Sequence, residues 1–138
     1  MGSLRRKLDD AGSALTTLEA LSDLKSPSEV ERDAAIQRFE YTFETMWKAA
    51  QEVLVNEGIE ANSPRAAIRA CFSAAILDEE ATERALALVA DRNLSVHTYK
   101  RALAEELFGR LSDHARLFRV WLEALEKRVQ DSGLPPSA

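Results

Sequence analysis

Nine residues set between two long apolar patterns hold most of the chain's chemistry: Asp91-Arg92-Asn93-Leu94-Ser95-Val96-His97-Thr98-Tyr99. They include one of only two histidines, beside an arginine, an asparagine, two hydroxyl residues and a tyrosine. Imidazole is the side-chain type whose ordinary titration range suits proton transfer near neutral pH. A guanidinium is a forked donor that matches phosphate oxygens. Arg92 and His97 therefore meet the minimum for cleaving a phosphodiester without a metal. The imidazole would move a proton at the 2′-hydroxyl or the leaving oxygen, and the guanidinium would stabilise charge on the phosphorane. Asn93 and Ser95 are N-cap types, which predicts that the last helix begins here. The segment would then lie where backbone N–H groups point outward and the helix dipole favours an anion.

Spacing sets a limit on this chemistry. Five residues along a continuous helix place two side chains about 140° apart and roughly 7.5 Å along the axis. A single chain can thus fail to converge Arg92 and His97, whereas a two-fold pairing of chains brings two copies of each together. An arginine and a histidine near a helix end also commonly serve as a cap and a surface charge, so these nine residues do not carry a function unaided. Tyr99 heads an apolar stripe, where its simpler role is a core ring with a wet hydroxyl.

Other reactive side chains have plainer readings. Glu40 and Glu44 lie four apart beside Gln37 and Lys48; without a companion histidine they read as a solvated or partner-facing ridge. His114 falls close to the last apolar stripe and reads as a satisfied buried or interface histidine. Cys71 beside Phe72 reads as a small core residue. Phe39, Phe43 and Trp47 share an i, i+4, i+8 stripe and read as core, while Trp121 with Phe118 fits either core or a dimer contact.

Composition closes off several function classes. The 138 residues fit one domain, with 46% hydrophobic and 30% charged residues, ample for a packed core. One cysteine excludes an internal disulfide, and two histidines leave too few ligands for a typical zinc set, so no metal and no cofactor is expected. The glycines, at Gly2, Gly12, Gly58, Gly109 and Gly133, never cluster, which removes phosphate-cradling loops. No apolar run approaches the ~20 residues of a membrane span. The opening, Met1 to Asp10, is charged and lacks the apolar stretch of a secretion signal, so a cytoplasmic location is expected. Arg6 stands where a myristoylation signal wants Ser or Thr. Eighteen Lys and Arg against 23 Asp and Glu give a net charge of −5, so binding nucleic acid needs a local basic patch or a basic partner.

The elements that must position these residues are helical. Ala (22) and Leu (18) far outnumber Val (7) and Ile (4), a balance that favours helix over strand. Apolar steps of four and three from Leu4 through Leu8, Ala11, Leu15 and Leu18 predict a first helix over residues 3–24. Ser26-Pro27-Ser28-Glu29 predicts a start with Ser26 as N-cap, Pro27 as first helical residue and Glu29 closing the capping box. The second helix, about 28 residues or roughly 42 Å, carries Ile36, Phe39, Phe43, Met46, Trp47, Ala50 and Leu54 on one face and stops near Gly58. Ser63-Pro64 starts a third helix running to about Ile76, and Asp78 caps a fourth over 79–90. The last stripe runs from Tyr99 through Leu103, Leu107, Leu111, Phe118, Leu122 and Leu125 to Val129. With no strand pattern and no internal repeat, the chain reads as an all-α, antiparallel up-and-down bundle of four to five helices over residues 1–131, followed by a flexible tail, 132–138, with two prolines.

At this point a resemblance becomes visible. Arg92-x4-His97-x-Tyr99 resembles the R-x4-H-x-Y motif of the HEPN superfamily. More narrowly, the chain is similar to the HepT-like proteins long labelled nucleotidyltransferase substrate-binding proteins. The stretches that match, besides Asp91-Arg92-Asn93 and His97-Thr98-Tyr99, are Ile36-Gln37-Arg38-Phe39-Glu40-Tyr41-Thr42-Phe43-Glu44, Trp47-Lys48 and Ser63-Pro64-Arg65. The similarity runs from about Leu8 to Arg128. It implies a homodimer with the motif at the dimer cleft, paired with a small separate nucleotidyltransferase that acts as antitoxin. In that arrangement the HEPN protein is a metal-independent endoribonuclease, and the nucleotidyltransferase neutralises it by attaching AMP to the motif tyrosine. Carried over, Arg92 and His97 become the catalytic pair, Tyr99 the AMP acceptor and Asn93 an auxiliary residue.

Two further readings stay open. One is a non-catalytic subunit that presents a substrate or nucleotide to the nucleotidyltransferase. The other is a purely structural helical adaptor, which leaves the polar motif unexplained. The chain lacks the Gly-Ser and paired-acid motif of nucleotidyltransferases, so nucleotide transfer itself is not assigned to it. Arg92, Lys100 and Arg101 supply local positive charge, although Glu105 and Glu106 follow at once; the expected affinity for RNA is modest and salt-sensitive.

Overall fold

Five helices form where the apolar stripes place them: α1 (Ser3–Ser22), α2 (Glu29–Asn56), α3 (Pro64–Ser73), α4 (Glu79–Leu94) and α5 (Arg101–Asp131). A single 3₁₀ turn, Ser95–His97, stands between α4 and α5. This computed structural model describes residues 2–134, and no strand occurs among the described residues. The expected tail lies in part outside them: α5 ends at Asp131, Gly133 takes φ 75, and Pro135 and Pro136 are not among the described residues.

Helix ends show local chemistry choosing between neighbouring signals. The chain holds two overlapping Ser-x-x-Glu boxes, and the second one closes, correcting the expected start at Ser26. Glu31 N donates to Ser28 Oγ at 3.1 Å, and Ser28 N donates to Glu31 Oε1 at 2.8 Å. Pro27 stays outside the helix, leaving residues 23–28 to turn the chain from α1 to α2. α2 has the expected 28 residues. It ends in a Schellman turn, with Gly58 at φ 79, Gly58 N on Val55 O at 2.9 Å and Ile59 N on Leu54 O at 2.8 Å. Asp78 caps α4 as expected, its Oδ1 accepting from Ala81 N at 2.8 Å.

α3 stops three residues before the expected Ile76. Ala75 turns the chain at φ 61, and Ile76 and Leu77 enter the core from that turn instead of from a helix face. Burial explains the misreading, because both residues prolong the apolar pattern without prolonging the helix.

α2 is the central element: it packs on α1, α3, α4 and α5, and α1 and α4 also meet α5. Phe39, Phe43, Phe118 and Trp121 are fully or nearly fully buried, each worth about 1.5–3 kcal/mol of transfer from water. Phe118 sits 6.0 Å from Phe39 between ring centroids, so Phe118 and Trp121 belong to the core. Trp47 lies half-buried at its edge. Cys71 is buried, and burial pushes its thiol up to about 11.

Candidate functional site

α4 continues past the expected Ala90, so Arg92 and Asn93 occupy its last turn. The 3₁₀ turn follows, and α5 begins only at Arg101, after an N-cap, Lys100, that offers no side-chain hydrogen bond. The expectation that these residues open the last helix is therefore wrong. They close the fourth, where carbonyl groups and the negative end of the dipole face outward. Any attraction for a phosphate must come from side chains. The physical reason lies in Ser95, whose hydroxyl does not cap a following helix. Its Oγ lies 2.6 Å from both Glu40 Oε2 and the Arg92 carbonyl oxygen, and it accepts from Arg92 Nη1 at 3.2 Å.

Glu40 is the residue that sequence reasoning missed. Its Oε2 accepts from Arg92 Nη1 at 3.2 Å, with the two side chains about equally half-buried. It is thus no solvated ridge, whereas Glu44, one turn on, remains half-exposed beside Lys48 at 3.8 Å. The available signal was position: residue 40 directly follows the buried Phe39 on a helix facing the segment that carries Arg92. Arg92 Nε is buried without a partner, and Nη2 has no hydrogen-bond partner among the described residues. One side of the guanidinium is held and another stays free.

His97 and Tyr99 are exposed. Tyr99 is 77% exposed and is not the core ring its place in the stripe implied. The break between α4 and α5 takes it out of the helical register of Leu103 and Leu107. Its ring meets that of His97 edge-on at a centroid distance of 6.4 Å, and Lys100 Nζ lies 5.9 Å from its centre. No hydrogen bond joins Arg92 to His97 among the described residues. Within one chain the pair is near in sequence but not engaged. Tyr99 borders an open groove of about 540 Å³, which Val30, Asp33, Gln37, Glu40 and Ser95 also line.

A buried ion cluster fixes the platform under this site. Asp91 accepts two hydrogen bonds from Arg110, each at 2.8 Å, and its Oδ2 lies 2.6 Å from His114 Nε2. Burial alone would raise the Asp91 carboxyl, but Arg110 and His114 together hold it below the usual carboxylate range. The same pairing moves the Arg110 guanidinium upward. His114 is buried as expected and stacks on Phe39 at 5.5 Å. Because an ionised carboxylate only accepts, His114 Nε2 carries the proton. The cluster ties the last turn of α4 to α5 immediately before Arg92.

Among the described residues no group of three His, Cys, Asp or Glu side chains is placed to hold a metal ion. None of the described helices is long and apolar enough to cross a membrane.

Comparison with known proteins adds family and fold. A family model described as nucleotidyltransferase substrate binding protein like matches residues 6–127. The crystal structure of a protein from Thermus thermophilus is similar at 51% identity and a TM-score of 0.81, covering 83% of this chain and 98% of that one. A chain in the crystal structure of the MntA–HpeT toxin–antitoxin shares the fold at 13% identity and a TM-score of 0.75, over 90% of this chain and 97% of that one. No curated protein matches.

Proposed function

Because the chain belongs to the nucleotidyltransferase substrate-binding protein-like family, we propose that it is the HepT-like toxin of a two-protein toxin–antitoxin pair. In this reading it is a metal-independent endoribonuclease that works as a homodimer in the cytoplasm. A small nucleotidyltransferase silences it by attaching AMP to Tyr99. The likeness of fold to a chain of the MntA–HpeT toxin–antitoxin supports such a pairing. The observation that carries the reading is the 77% exposure of Tyr99 on a non-helical connection, edge-on to His97. A phenol must be this accessible to enter the active site of a second protein.

In cleavage, the RNA 2′-oxygen attacks phosphorus, the bond to the 5′-oxygen breaks, and a 2′,3′-cyclic phosphate and a 5′-hydroxyl result. His97 takes the 2′-hydroxyl proton or gives one to the leaving oxygen. Arg92, positioned by Glu40 and Ser95, offers its free Nη2 to the phosphorane, and Asn93 shapes the neighbouring wall. In the silencing step the Tyr99 oxygen attacks the α-phosphorus of ATP, and pyrophosphate leaves. The added phosphate then occludes and repels the RNA backbone two residues from His97.

One observation favours the alternative of a non-catalytic binding subunit. Arg92 is already paired with Glu40, and Asp33 adds a second carboxylate to the groove at Tyr99. The deciding experiment incubates the chain, made without its partner, with RNA in the presence of a chelator. Cleavage is expected to leave cyclic phosphate ends, and His97→Ala to lower the rate by about 10²–10⁴ with an unchanged Tm. Equal activity of the two proteins overturns the reading. A complex with the nucleotidyltransferase but no cleavage selects the binding subunit. Co-expression with the partner should add AMP that maps to Tyr99.

A further inference from the structure

Arg92 and Asn93 border a second cavity, of about 310 Å³, which shares no lining residue with the groove at Tyr99. Arg92 links the two, since it lines the second cavity while its Nη1 holds Glu40, which lines the first. The walls contributed by Pro64, Val89 and Val96 are apolar, and Glu44, Arg92 and Asn93 supply the polar groups. An apolar slot with a few convergent polar groups is the usual form of a small-molecule site, and this volume lies at the small end of that range. Val96 is 61% exposed, an apolar side chain left open at the rim of the slot.

Resting on the nuclease reading above, we propose that this cavity seats the base beside the phosphate bound by Arg92, and that it selects guanine. Stacking against Val96 and Pro64 would cover exposed apolar surface. The edge would be read by the Glu44 carboxylate, whose two oxygens match the N1–H and 2-amino donors that guanine presents side by side. Adenine and cytosine present a donor next to an acceptor, and uracil presents a single donor, so none of them satisfies both oxygens. Asn93, able to donate and accept, completes the polar edge. Glu44 is free to play this part, because its pairing with Lys48 at 3.8 Å is between two side chains about half-exposed, and exposed pairs of this kind contribute little.

The test has two arms. In the first, guanosine 5′-monophosphate and adenosine 5′-monophosphate are titrated into the chain, and the methyl signals of Val89 and Val96 are followed by NMR. The guanine nucleotide is expected to bind about tenfold tighter, the order of one bidentate base contact. Glu44→Gln should erase that difference, and Val96→Trp, made from an exposed position, should block both nucleotides. Equal binding of the two nucleotides, no shift at these methyls, or an unchanged preference in Glu44→Gln overturns the proposal. In the second arm, the ends of cleaved random-sequence RNA are sequenced, and cuts beside guanine are expected, with Glu44→Gln losing the bias. Cuts without a guanine bias overturn the proposal while leaving the nuclease standing. Guanine selectivity in the first arm without any cleavage does the reverse, supporting the pocket and sinking the nuclease reading.

Discussion

The Arg92 guanidinium and the Glu40 carboxylate meet at 3.2 Å, joining residues fifty-two positions apart and tying the last turn of α4 to α2. Ser95 closes the arrangement from the 3₁₀ turn, 2.6 Å from the same carboxylate oxygen. The three groups form a closed set of hydrogen bonds in which Glu40 neutralises the arginine and holds it by one nitrogen.

Removing Glu40 therefore separates positioning from attraction. Glu40→Ala is expected to cost about 1–2 kcal/mol in urea denaturation, since a half-buried cation loses its partner but keeps some access to water. The freed guanidinium also loses its fixed aim, and misplacement of a catalytic group by about 1 Å can cost around a hundredfold in rate. The expected signature is a fall in kcat of that order with no weakening of RNA binding by fluorescence anisotropy. A loss confined to binding would show that Glu40 does not position Arg92.

Tyr99 should behave as a surface residue for stability and as a switch for activity. Tyr99→Phe is expected to change stability by no more than about 0.5 kcal/mol, because the hydroxyl has no protein partner among the described residues on so exposed a ring. The variant should cleave RNA like the unmodified protein and stay active after co-expression with the nucleotidyltransferase. Intact mass and cleavage rate before and after co-expression check both statements. Silencing of Tyr99→Phe by the partner would move the modification elsewhere.

Most of the fold was legible because periodicity reports burial directly. Phe39, Phe43, Leu107, Leu111 and Phe118 recur at helical spacing and are core. Local signals became ambiguous where two solutions of equal local quality overlapped, as with the capping boxes of Ser26 and Ser28. They misled at Ser95, whose N-cap character was spent on Glu40, a contact spanning fifty-five residues that no window could reveal. The identities of Arg92, His97 and Tyr99 were legible, but their arrangement was not. It depends on where α4 stops, and there Ser95 turns its hydroxyl to Glu40 instead of capping a following helix.

Ala75 is the only non-glycine among the described residues with positive φ, at 61°. An L-residue with a Cβ costs roughly 1–2 kcal/mol in that region, partly offset by the greater freedom glycine gives the unfolded chain. Ala75→Gly should therefore stabilise the fold by about 0.5–1 kcal/mol and raise Tm by a few degrees, as read by calorimetry. A fall in Tm would mean that the Ala75 methyl makes a contact worth more than the strain.

The acid limit of stability should trace to Asp91. Its carboxyl is ionised, nine-tenths buried, and bonded at both oxygens by Arg110 and His114. Because the folded state holds this group below its ordinary value of about 3.9, the folded protein resists protonating it, and its stabilising contribution is complete above that pH. The contribution is lost as pH falls from there through the lower folded value. Urea midpoints should thus fall as pH drops below about 4. Asp91→Asn, which puts an amide N–H against the donors of Arg110 and His114 while leaving Arg110 its pairing with Glu106, is expected to cost about 1–3 kcal/mol at neutral pH and to flatten the acid slope. Since Asp91 anchors the turn that carries Arg92, a folded sample of the variant should also cleave RNA more slowly. An acid slope identical to that of the parent would remove Asp91 from this account and leave the end of α4 held by Glu40 alone.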